Sequence, residues 1–321
     1  MIPLHVPNVS LHRHSRSQIM KDNLKRILLR QWQFYVILAL PLVYIIIFAY
    51  VPMYGLAYAF IDYSPSKGIF GSAWVGLRHF KQFFSSPSST AVIFNTLWLG
   101  IYGLVAGFPI PIILAVALNE VGNKSYKKVV QMVTYAPYFI STVVLVGMIL
   151  QVTDLRLGII NNIIDLLGGK RINFMAKSNL FASIYVWSGI WAGAGYGSII
   201  YLAALSAVDP QLQEAATVDG ASRIKRIWHV DLPAIRPQII ILLLFNLGRI
   251  LGIGFEKAYL LQNDLNIKVS EVISTYVYKI GLVYANYSFS TAVGLFNSLI
   301  SVCLLVTANF MARKLSETSI W

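Results

Sequence analysis

The sequence predicts an all-α polytopic membrane protein with six transmembrane helices, and three observations predict it. Hydrophobic residues make up 57% of the 321-residue chain and charged residues only 12%. Mean hydropathy is +0.65, more apolar surface than a water-soluble fold can cover. Apolar runs, each near the roughly 20 residues needed to cross a bilayer, fall at approximately 33–53, 90–118, 129–152, 180–207, 237–262 and 288–312. The polar segments between them carry the formal charge of +13 unevenly. In such a chain this charge points to basic cytoplasmic loops beside anionic lipid rather than to nucleic acid.

The chain opens with a basic tail, residues 1–32, holding Arg13, Arg16, Lys21, Lys25, Arg26 and Arg30 against Asp22. Its histidines lack metal-ligand spacing, and from about Asn23 it can lie on the membrane surface. The apolar run from Phe34 is too long and starts too late for a cleavable signal peptide. Residues 33–321 form the membrane domain. With the tail inside, the inner segments hold fifteen Lys and Arg and the outer ones nine, which orients both termini toward the cytoplasm. The second and fourth runs are long and are expected to tilt or protrude. Pro41, Pro109, Pro111 and Pro137 are expected to kink their helices. Gly189, Gly193 and Gly197 form a small-residue stripe suited to internal packing or to a second subunit. Cys303, the single cysteine, excludes an intrachain disulfide.

The longest polar interruption is residues 209–237, between the fourth and fifth runs. Asp209 can cap a helix whose first residue is Pro210. Gly220 fits a left-handed stop after Val218. A second short helix from about Ser222 to His229 carries Arg223, Lys225 and Arg226, and Leu232-Pro233 turns the chain back into an apolar run. The spacing Glu214-Ala215-Ala216, Gly220, Val230-x-Leu232-Pro233 resembles the EAA loop of permease subunits of binding-protein-dependent ABC importers, with Val230 where the family pattern has Ile. The flanking segments Tyr201–Leu205, Gly254–Lys257 and Ser274–Tyr278 are similar to the oligosaccharide branch, including importers of alginate. The resemblance implies a type I importer fold in the bacterial cytoplasmic membrane. It implies a second permease subunit, two ATPase subunits that bind ATP and Mg, an extracytoplasmic solute-binding protein and an oligosaccharide substrate. It also implies that Glu214, Ala215, Ala216, Gly220, Arg223, Leu232 and Pro233 couple this chain to the ATPase.

The fifth run carries the chemistry. At about 1.5 Å per residue from Pro237, Arg249 falls near mid-bilayer, where a cation needs a partner or a wet cavity. Asn246, Arg249 and Glu256 are the candidate lining of a substrate path. Arg249 and Glu256 are expected two turns apart on one helical face, with Glu256 and Lys257 nearer the outer surface. An arginine there favours an acidic oligosaccharide such as alginate over a neutral sugar, because a carboxylate accepts two parallel hydrogen bonds from a guanidinium.

No phosphate-binding G-x-x-x-x-G-K-[ST] occurs, nor H-E-x-x-H, nor G-x-S-x-G. ATP hydrolysis is therefore assigned to other chains, and no cofactor to this one. A secondary transporter would carry several intramembrane carboxylates or inverted repeats. A membrane enzyme would cluster its ionisable groups. The sequence has neither pattern.

Overall fold

The computed structural model describes residues 30–316, so nearly all of the basic tail lies outside the described residues. The chain divides into a unit ending at Ala57 and a larger one from Tyr58 onward. The first is a helical run. It starts with α1 (Trp32–Ile45), passes through a wide turn at Ile46–Tyr50 and tightens from Val51. Pro41 sits inside α1 without ending it. The side chains of this run are apolar and exposed almost throughout.

The second unit begins with a two-residue hairpin. β1 (Ile61–Asp62) pairs antiparallel with β2 (Ala73–Trp74), with Ile61 opposite Trp74. Helix α2 (Arg78–Ser85) follows and buries Phe83 with Val92, Ile273, Phe289 and Val293. Ser86 caps the next helix and Pro87 fills its first position, where a missing N–H costs nothing. Helices α3 (Pro87–Gly107) and α4 (Pro109–Glu120) form one 34-residue apolar span. Helix α8 (Ser178–Ser206) is another such span, and α14 (Tyr287–Ser316) supplies a third across Tyr287–Lys314.

Two expected runs are not straight helices. Residues 129–152 fall on α5 (Lys124–Tyr135), which a tighter turn extends to Phe139, and on α6 (Thr142–Val152), and the arm Lys124–Phe139 is bent by 101° from α6. Pro137 and the capping Ser141 explain the corner, because each ends a backbone hydrogen-bond ladder. Residues 237–262 likewise do not form one helix. Helix α11 (Arg236–Gly248) ends before mid-span, and α12 (Phe255–Leu261) resumes after an irregular stretch. Among the described residues, four helices are long and apolar enough to cross a membrane, or up to six spans if two bent pairs, Lys124–Phe139 with Thr142–Val152 and Arg223–Ala234 with Arg236–Gly248, each count as one.

Close backbone approaches hold these spans together. A Cβ on Gly195 of α8 would lie 2.0 Å from the Thr134 carbonyl oxygen, so only glycine fits there. Buried amides and hydroxyls satisfy the irregular backbone between α12 and α13 (Ile273–Tyr278). Asn95 Nδ2 donates to the Lys268 and Glu271 carbonyls at 2.9 and 3.0 Å. Thr96 Oγ1 accepts from the Ile273 N–H at 2.9 Å.

Candidate functional site

The first site is the loop between α8 and α11. Asp209 Oδ1 accepts from the Gln211 N–H at 2.9 Å and starts α9 (Pro210–Val218). Gly220 has φ +76°, the Ala221 N–H reaches the Ala216 carbonyl, and the Gly220 N–H reaches the Thr217 carbonyl. This is a Schellman stop, and it fixes the angle at which the chain leaves the helix. A Cβ on Gly220 would meet nothing within 4 Å. The constraint there is therefore backbone conformation and not space. Ser222 then caps α10 (Arg223–Arg226), which runs on through a wide turn at Ile227–Asp231.

Two side-chain bonds tie the halves of the loop together. Gln213 Nε2 donates to Asp231 Oδ1 at 2.6 Å, and Arg226 Nη1 donates to Thr217 Oγ1 at 2.6 Å. Asp231 is buried and its Oδ2 has no hydrogen-bond partner. Burial pushes its carboxyl above the usual range, and Glu120 adds to this, while Gln213 and Arg226 oppose it. Glu214, Ala215, Arg223 and Pro233 are exposed, whereas Ala216 and Leu232 are half-buried. The loop also exposes Leu212, Val218, Ile224 and Trp228. Sequence spacing did not single these out, although four large apolar side chains on a charged loop are themselves a signal for a protein partner.

The second site is a cavity of about 580 Å³ walled by α3, α4, α8, α11 and the break that follows α11. Gly100, Gly103 and Gly107 line one wall, and Gly189, Gly193 and Gly197 another. The stripe expected to pack helices thus borders open space at Gly193, where a Cβ would meet nothing within 4 Å. Gly100 is different: a Cβ there would lie 2.1 Å from the Ile250 carbonyl oxygen, so the broken strand of backbone rests directly on α3.

Asn246 and Arg249 line the cavity, and Glu256 does not. The expected common face for Arg249 and Glu256 fails because α11 stops at Gly248, so helical spacing no longer relates the two residues. Lys257 lines the cavity instead. Its Nζ donates to the Tyr185 carbonyl at 2.6 Å and stands 4.7 Å from the centre of the Tyr185 ring. A Cβ on Gly189 would come within 3.1 Å of that nitrogen, so the glycine leaves room for the ammonium. Asn246 Nδ2 is satisfied by the Leu242 carbonyl of its own helix. None of the three ion pairs among the described residues includes Arg249 or Lys257. No carboxylate lines the cavity among those residues.

Broken spans, a cavity between them and a capped two-helix loop suit a membrane transport protein. Comparison with known proteins specifies which. Residues 107–317 match the family described as binding-protein-dependent transport system inner membrane component, and the chain belongs to that family. It is 43% identical over 304 residues to the polygalacturonan/rhamnogalacturonan transport system permease protein YteP of Bacillus subtilis (strain 168), covering 94% of this chain and 95% of that one. It is 42% identical over 287 residues to Protein LplB of the same organism, covering 89% and 90%. A crystal structure of a bacterial ABC transporter involved in the import of the acidic polysaccharide alginate contains a chain with a TM-score of 0.85 and 39% identity. That match covers 92% of this chain and 99% of the other. The type I permease fold and the oligosaccharide branch expected from the sequence are thereby confirmed.

Proposed function

We propose that this chain is one of two different permease subunits of an ATP-driven importer for acidic oligosaccharides. ATP and Mg are bound and hydrolysed by two separate ATPase subunits, and a solute-binding protein delivers the substrate from outside. Both termini and the 209–237 loop face the cytoplasm, in keeping with the excess of Lys and Arg on that side. The loop presents Glu214 and Arg223 together with Leu212, Val218, Ile224 and Trp228. That mixture of charge and apolar surface suits a cleft in an ATPase, and the Gln213–Asp231 bond lets the loop move as one body.

One observation carries the choice of substrate: the cavity contains two cations and no carboxylate among the described residues. The Arg249 guanidinium offers a planar fork to a uronate carboxylate. Lys257 adds a compact charge on a flexible stem, held on the Tyr185 carbonyl until a stronger acceptor arrives. In alternating access these groups meet the substrate while the cavity is closed to one side and open to the other. The glycine walls leave room for a sugar chain.

The test is reconstitution with the companion permease, the ATPase and the solute-binding protein in vesicles. Oligogalacturonate and its methyl ester, the same sugar without charge, are then compared for uptake and for stimulation of ATP hydrolysis. The acid is expected to be transported and the ester poorly. Equal transport of both overturns the acidic preference. Failure of every saccharide to stimulate hydrolysis overturns the importer assignment.

A further inference from the structure

The segment between α6 and α8 contains a helix that neither the coupling loop nor the cavity uses: α7 (Ile159–Leu166). Its surface divides into three sectors. Asn161 faces inward and is fully buried. Its Nδ2 donates to the Asp154 and Ile172 carbonyls, each at 2.9 Å, and its Oδ1 accepts from the Ile172 N–H at 2.7 Å. Asn162 and Asp165 form a polar exposed sector. Ile159, Ile163, Leu166 and the following Leu167 fall within an arc of about 100° at 3.6 residues per turn. They are 63%, 51%, 86% and 83% exposed.

This apolar face is held firmly. Asp154 Oδ1 accepts from the Arg156 and Leu157 N–H groups at the entrance. Gly168, at φ +78°, ends the helix. Arg171 pairs with Asp165 at 3.0 Å and donates to the Leu155 and Arg156 carbonyls. A rigid segment presenting four large apolar side chains outward is built to be covered.

Its place in the chain says by what. The segment joins the end of α6 to the start of α8, and the other end of α8 leads into the 209–237 loop. It therefore lies on the membrane face opposite that loop, where two spans emerge. Helix α6, whose exposed side chains Val143, Val144 and Met148 are apolar, leads through a short turn into α7. Exposed Arg156 and Lys170 flank the apolar face, one before the helix and one after. A protein-facing sector, a water-facing sector and an apolar sector rimmed by cations describe a helix lying in a bilayer surface.

We propose that α7 is an interfacial anchor on the lipid leaflet opposite the coupling loop. Ile159, Ile163, Leu166 and Leu167 enter the acyl boundary, and Arg156 and Lys170 meet anionic headgroup phosphates. The anchor does not depend on which solute is carried.

The experiment places nitroxide labels singly at Ile163→Cys, Leu166→Cys and Asn162→Cys in an otherwise cysteine-free transport complex. The complex is reconstituted in vesicles of phosphatidylcholine and phosphatidylglycerol. All three positions are exposed, so labelling leaves the packed side of α7 intact. Collision rates with oxygen, which partitions into lipid, and with a water-soluble nickel chelate are compared. Labels at 163 and 166 are expected to favour oxygen several-fold, and the label at 162 to favour nickel. Nickel access at all three positions overturns the proposal, because the face is then in water. Immobilised spectra at 163 and 166 shielded from both reagents also overturn it, because a protein partner then covers the face.

Discussion

The 209–237 loop and the cavity meet at α11, yet they are built by opposite means. Residues 209–237 take their shape from neighbours in sequence: Asp209 caps, Pro210 starts, Gly220 stops and Ser222 caps again. The cavity takes its shape from distant contacts: the Ile250 carbonyl on Gly100, Lys257 on Tyr185, and the Pro111 ring beside Gly197. A locally coded element can move as a unit, whereas a cavity made of interlocking backbones is sensitive to a single added carbon.

The sharpest way to break this contrast is Gly100→Ala. Its methyl collides with backbone, which has no rotamer to escape into, so the cost is expected at the upper end of the usual range of about 1–3 kcal/mol. Yield and thermal stability of the purified complex should collapse. Gly103→Ala on the same wall faces open space and should leave both unchanged. Equal tolerance of the two would show that the break does not rest on α3.

Next in size is Glu214→Lys. This exposed reversal should leave membrane insertion and assembly intact while uptake falls by about tenfold or more, the effect of losing one charge-assisted contact. Wild-type uptake from this variant would remove Glu214 from the coupling surface.

Gly220 separates backbone from bulk. Its φ of +76° disfavours β-branched residues, at about 1–2 kcal/mol, while the open space around it accepts volume. Gly220→Val should uncouple hydrolysis from uptake, and Gly220→Asn, which tolerates the left-handed region, should largely retain coupling. If Val and Asn behave alike, the Schellman stop does not set the coupling geometry.

The smallest effect is expected at Asp231. Its folded carboxyl titrates above its unfolded value, so its contribution to stability is present at low pH and is lost as pH rises through the folded value. Asp231→Asn keeps an oxygen to accept from Gln213 and removes the buried charge. The thermal midpoint should rise slightly at neutral pH and match wild type near about pH 4, the ordinary aspartate value. A fall at neutral pH would mean that the ionised carboxylate has a partner.

The same contrast governs what could be read in advance. Capping and stop signals act within four residues, so the 209–237 loop was legible down to its turn residue. The membrane class was legible because apolar length and charge bias are properties of composition. The corner at Ile140–Ser141 was hidden, because Pro137 alone does not distinguish a kink from a 101° bend. The break after Gly248 was hidden as well: no proline marks it, and the packing on Gly100 that accommodates it comes from another span. That break carried the reading of one helical face from Arg249 to Glu256 with it, and Lys257 took the expected place of Glu256. The glycine stripe at 189, 193 and 197 was visible as a pattern. Only the fold shows that it borders a cavity.

The central claim is that Arg249 and Lys257 set the charge preference of the path while the 209–237 loop sets its coupling. The most direct measurement is the ratio of oligogalacturonate uptake to methyl-ester uptake in the reconstituted complex carrying Arg249→Gln and Lys257→Gln together. The ratio is expected to fall by about tenfold to a hundredfold, the worth of one or two charged hydrogen bonds, with ATP hydrolysis retained. An unchanged ratio with both cations removed would contradict the claim.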